Sequence, residues 1–201
     1  MTSDPPLPGW TVTLVCGAAA VGKSRVARGL AARYATPLSE VDDIVTALLA
    51  MTEPDQLPVL HYWQTHPETR SWGPKRIAEH HMSVAETLGP ALSAVIADHV
   101  EFRAPLVLEG DHLLPELVRG FGGAVRAVVV SEPDEGQLIA NLGAREPHEP
   151  HQRDRARVSR LVDAELTRRT AAVGAPVVLA RPWDTVLERT DRALRAYEPG
   201  Q

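Results

Sequence analysis

Gly17-x-x-x-x-Gly22-Lys23-Ser24 sets two glycines, a lysine and a hydroxyl at the spacing of a phosphate-cradling loop, the Walker A pattern. The residue types explain the chemistry. Glycines let successive backbone N–H groups turn inward around an anion, the lysine ammonium reaches its outer oxygens, and the serine hydroxyl can ligate Mg2+. Ala18, Ala19, Ala20 and Val21 contribute their amides, and the helix beginning at Lys23, with Arg25 in its first turn, aims its positive end at the same anion. A structural turn in an alanine-rich segment is the competing reading. The chain carries nineteen arginines but only Lys23 and Lys75 as lysines, so a compact ammonium at the bottom of a narrow loop is a specific choice.

Phosphoryl transfer also needs acids near the metal and near the acceptor. "LVLEGDH" sets Glu109 at the end of an apolar run, where a carboxylate can support a Mg2+ shell, with Asp111 a second candidate. Asp42 and Asp43 follow a short second strand and could take a proton from an attacking hydroxyl; helix capping is the plainer use of an aspartate there. "AREPHEPHQRDRARVSR" is too polar and too broken by proline to pack as core. It reads as a lid spanning 145–157 whose Arg145, Arg153 and Arg155 neutralise phosphoryl charge, or as a solvated helix start with its own acidic partners. Pro182 and Trp183, with Arg181 before them, could wall a nucleobase, and Trp183 could equally anchor the last helix. His80, His81, His112, His148 and His151 read as hydrated surface histidines, because no cysteine or carboxylate spacing supports zinc.

These residues need a frame. "WTVTLVCG" is a β-branched strand running into the loop, and "KSRVARGLAARY" has helical spacing. A short strand ending near Val41 precedes a helix that starts at Asp42 or Asp43. Residues 53–74, rich in proline and tryptophan, lack a period and read as a cap. A long helix from Pro74 to about Arg103 is expected to kink or break at Gly89-Pro90. Apolar runs at 105–109, 124–132 and 176–180 read as strands covered on both faces. The expected fold is α/β: a three-layer, nucleoside-monophosphate-kinase-like P-loop architecture with a five-stranded parallel sheet, in one domain over 1–201. In such sheets ligands sit outside the carboxyl ends of the strands, where these motifs fall.

A net charge of −5 gives no general attraction to nucleic acid, which is not expected as a partner, and no run approaches the roughly 18 apolar residues of a membrane span. A cytoplasmic protein is expected. Cys16, the single cysteine, reads as a buried core residue without chemistry.

"GAAAVGKSRVARGLA", "EVDDI" and "LVLEGDHLLPEL" together resemble the P-loop kinases of small metabolites, most closely the family of 2-phosphoglycerate kinases, and more distantly gluconate kinases, chloramphenicol phosphotransferases and zeta-toxin kinases. The third stretch is the most specific. The resemblance puts the family aspartate on Asp42 and carries over Glu109, Gly110, His112 and Pro115. It implies ATP or GTP as donor, Mg2+, and a small-molecule hydroxyl as acceptor, in a monomer or homodimer. A nucleotide-binding regulator, or a kinase of a nucleotide-sugar or macromolecule, remains open. One departure bears on the substrate: "IVTALLAMT" carries none of the basic residues that the family has there, so Arg70, Lys75 or Arg76 would have to serve, or the acceptor is neutral and more apolar.

Overall fold

The computed structural model describes residues 7–198; the ends of the single-domain span expected over 1–201 lie outside them. Strand β1 (Val12–Cys16) enters the glycine loop and helix α1 (Lys23–Tyr34) leaves it. β2 (Leu38–Glu40) passes directly into α2 (Val41–Met51), followed by α3 (Tyr62–Thr65), a 3-10 turn and α4 (Pro74–Glu101). Then come β3 (Leu106–Gly110), β4 (Val125–Ser131), α5 (Glu135–Arg145), α6 (Gln152–Thr170), β5 (Val177–Leu179) and α7 (Val186–Ala196).

All five strands pair in parallel in the order β2-β3-β1-β4-β5. Every residue of β1 and β3 is buried, which explains their unbroken apolar runs: helices cover both faces. The buried side chains of the sheet, α1, α4, α6 and α7 form one continuous core. Parallel strands align all their carboxyl ends on one edge, so the segments after Cys16, Glu40, Gly110, Ser131 and Leu179 meet there.

Three expectations need correction. The second strand ends at Glu40, one residue before Val41, and Glu40 occupies the cap position, so Asp42 and Asp43 lie inside the first turn of α2. α4 runs unbroken through Pro90. Pro90 is on the exposed face, where the carbonyl it leaves unpaired can be hydrated, while Leu88 and Leu92 on the inner face stay buried. The 145–157 stretch is not one irregular segment: Arg145 closes α5, α6 begins at Gln152, and only 146–151 is non-helical. Ala156 and Ser159 of α6 are buried against the core, while Arg157 and Arg160 reach Glu135 of α5 at 3.5 and 4.0 Å in exposed pairs that add little.

The cap at 53–74 is short turns around an aromatic cluster in which Tyr62, Trp63 and Trp72 pack against His80. α4 is tied to α6 by Arg169, which pairs with Glu86, with Glu116 at 2.7 Å and with Glu165 at 2.9 Å. No described helix is long and apolar enough to cross a membrane.

Candidate functional site

The glycine loop closes over the carboxyl end of β1. Gly22 has φ +91°, and a Cβ there would fall on the ring of Trp183. Only glycine meets both demands, the left-handed backbone and the close approach. Among the described residues none of the amides of Ala18 to Gly22 donates to another protein group. Five consecutive N–H groups, spared by the protein, are what an anion cradle requires. Asn141 of α5 braces the loop from outside, its Nδ2 donating to Ala20 O at 2.8 Å.

Two clefts flank this loop. The first, about 500 Å³, is lined by Ala20, Gly22, Lys23, Ser24 and Arg25 with Asn141, Arg145 and Trp183. Lys23, Arg25 and Arg145 make it a basic basin; Arg145 also pairs with Glu146 at 2.6 Å. Trp183 therefore sits on the loop and in the cleft. Arg181 turns away to Glu132 (2.7 Å) and Pro182 is exposed outside the lining, so Trp183 alone of that trio faces the basin. The second cleft, about 420 Å³, lies between the loop residue Ala19, the cap residues Arg70 and Trp72, and α6, from which Arg155 and Asp154 enter. Arg155 thus borders the second cleft, held by Glu146 at 2.5 Å, and Arg153 is exposed and lines neither.

The acids converge on Lys23. Glu109, at the end of β3 beside Glu40 of β2, is 3% exposed. Burial raises its pKa; Lys23 and a hydrogen bond from Ser24 oppose that, and Glu40 and Asp42 add to it. Its Oε2 is buried without a partner. An orphaned carboxylate oxygen beside the loop serine and lysine fits a hydrated Mg2+, for which Ser24 and Glu109 are the residues that would serve. Gly110 is explained here too: a Cβ would lie 2.6 Å from Val41 Cβ, so glycine lets α2 begin against the end of β3.

Asp42 and Asp111 are electrostatically coupled with opposite outcomes. Burial and then Asp111 raise the Asp42 carboxyl above its ordinary value, partly offset by Lys23. For Asp111 burial pushes up, but Lys23, His81, His112 and a backbone hydrogen bond bring it below its usual value. A carboxylate pair whose environments push its pKa values apart is the arrangement that assigns separate roles. Asp42 and Asp43, neighbours in the first turn of α2, are both solvent-accessible, and Asp42 feels the site's charges.

Sequence reasoning missed Glu40, Asn141 and the pairing of His81 with His112. These histidines are not hydrated surface groups: both are half-buried, their rings stack at 4.0 Å, and burial and then His81 hold His112 down at about 4. Each belongs to a different element, α4 and the loop after β3, so no local spacing announced them. His148 and His151 are exposed as expected. Cys16 is buried and its thiol pKa is pushed up by burial, as a core residue should be.

No protein-family model matches the chain, and no curated protein matches it in sequence. Similar solved structures do exist. A gluconokinase from Sinorhizobium meliloti 1021 superposes with a TM-score of 0.57 at 18% identity, covering 94% of this chain and 93% of that one. TT1252 from Thermus thermophilus gives a TM-score of 0.56 at 14% identity, covering 95% of this chain and 98% of that one. The chain has a P-loop kinase fold. At these identities the likeness concerns the fold, and the chemistry rests on the residues above.

Proposed function

We propose that the protein transfers the γ-phosphoryl group of ATP, with Mg2+, to a hydroxyl of a small molecule. The observation that carries this reading is the convergence of five free loop amides, Lys23 and the orphaned Glu109 oxygen on one point, with Asp42 across from it. The loop amides and Lys23 hold the donor's phosphates, Arg25 and Arg145 balance their charge, and Trp183 offers a face to the base. Ser24 and Glu109 would hold the Mg2+, which would supply positive charge to offset that of the phosphates. The acceptor enters from the second cleft. As its oxygen bonds to the γ-phosphorus and the bond to the bridging oxygen breaks, its proton passes to the Asp42 carboxylate.

"LVLEGDHLLPEL" favours kinship with the 2-phosphoglycerate kinases, but α2 has no basic residue, and Trp72 and Ile77 line the second cleft alongside Arg70 and Arg155. An acceptor with an apolar portion and at most one anionic group fits that lining. Mg-ATP turnover with a set of hydroxylated metabolites tests the reading. An acceptor should accelerate ADP release, Lys23→Ala should abolish it, and Asp42→Asn should lose transfer while still binding nucleotide. Undiminished transfer in Lys23→Ala would sink the proposal.

A further inference from the structure

His81, Asp111 and His112 each offer one ligand atom within 4.8 Å of the others, and all three are half-buried. Two observations point to a ligand. His112 Nδ1 is buried without a hydrogen-bond partner, although the ring is otherwise packed against His81. His81 Nε2 donates to the Asp111 carbonyl at 2.9 Å, which leaves the lone pair of a neutral His81 on Nδ1 and fixes its ring beside the loop that carries the other two residues. A backbone carbonyl on one ring nitrogen is the usual outer support of a metal-ligating histidine.

We propose that His81, Asp111 and His112 form a site for a borderline divalent cation of the zinc class, separate from the Mg2+ ligands Ser24 and Glu109. Two imidazoles and one carboxylate suit zinc and its neighbours, whereas Mg2+ takes oxygen ligands. With metal–ligand bonds of about 2.0–2.1 Å, tetrahedral ligands stand about 3.4 Å apart, so the three atoms must draw together, and the His112 ring must turn out of the stack while His81 keeps its bond to the Asp111 carbonyl. The broad χ2 torsion of histidine permits that.

Three protein ligands leave a fourth position for water or substrate. The ion would sit beside Asp111, within the electrostatic reach of Asp42 and Lys23. On the phosphotransferase reading, it supplies next to α2 the positive charge that the helix lacks, and so suits an acceptor with an oxygen donor near its reacting hydroxyl.

Metal binding is measured without nucleotide, which separates this proposal from the kinase reading. Metal-free protein, without a polyhistidine tag, is titrated with Co2+ by visible absorption and with Zn2+ against a chromophoric chelator. One equivalent of Zn2+ should bind, excess Mg2+ should not displace it, and the exposed-histidine variant His148→Ala should retain it. His81→Ala and His112→Ala should each weaken binding by at least about 100-fold, beyond the roughly 10–100-fold typical of losing an outer support. The bulkier His81→Gln and His112→Gln, with urea midpoints alongside, separate ligand loss from unfolding. Absence of stoichiometric Zn2+ binding in the unaltered protein, or binding that survives in folded variants at both positions, overturns the proposal.

Discussion

Gly22→Ala perturbs two things at once, and a second substitution separates them. The φ of +91° is a left-handed conformation, costing a non-glycine residue about 1–2 kcal/mol. The new methyl also falls on the Trp183 ring, and overpacking of that kind costs about 1–3 kcal/mol. Gly22→Ala should therefore lower stability by about 2–5 kcal/mol, combining those two ranges. In a Trp183→Ala background the ring is gone and only the backbone strain remains. The cost of the same change should then fall to about 1–2 kcal/mol, giving a coupling of about 1–3 kcal/mol between the positions. Urea unfolding of the two single variants, the double variant and the unaltered protein, with linear extrapolation, measures the cycle. Costs that add to within about 0.5 kcal/mol would show that Trp183 does not rest on the loop, and the account of the basin's wall would fail with it.

Other outcomes follow from the acids. Asp163 is buried, accepts from Ser131 at 2.7 Å through Oδ2, and leaves Oδ1 unpartnered; burial raises its pKa from 3.8 to about 6. The folded state holds that proton more tightly than the unfolded chain, so stability present below pH 3.8 is lost as pH rises through about 6. The loss is at most about 3 kcal/mol, and Asp163→Asn should remove this step from a stability–pH curve and be the more stable protein at pH 7. Glu109→Gln should raise the Mg2+ concentration for half-maximal turnover by about 10–100-fold without lowering the urea midpoint of the nucleotide-free protein, because it removes a buried charge; a much earlier unfolding would refute this. Asp42→Asn should cut kcat by about 10²–10⁴-fold with nucleotide affinity unchanged by calorimetry.

The phosphate loop was legible because every part of it is local: a β-branched strand, two glycines at fixed offsets and a helix with its own period. The same holds for Glu109 and Gly110 at the end of β3, where an apolar run stops at a carboxylate. Features made by distant elements were not legible. α6 begins among prolines and arginines that read as an open lid, yet its inner face buries Ala156, Ser159 and Val162 against the core, a helical spacing hidden by the charged residues between them. Pro90 reads as a kink or a break, yet α4 continues through it with Pro90 on the exposed face. His81 and His112 are thirty-one positions apart and meet only because α4 lies against the loop that follows β3.

Transfer itself is the most direct measurement. With ATP labelled in the γ-phosphate, Mg2+ and a panel of hydroxylated metabolites, products are separated and weighed by mass spectrometry. The account predicts that the label appears on one acceptor hydroxyl as a gain of a single phosphoryl group, and that Asp42→Asn slows formation of that product by about 10²–10⁴-fold. Label found only as inorganic phosphate, at the same slow rate with and without every acceptor, would contradict it.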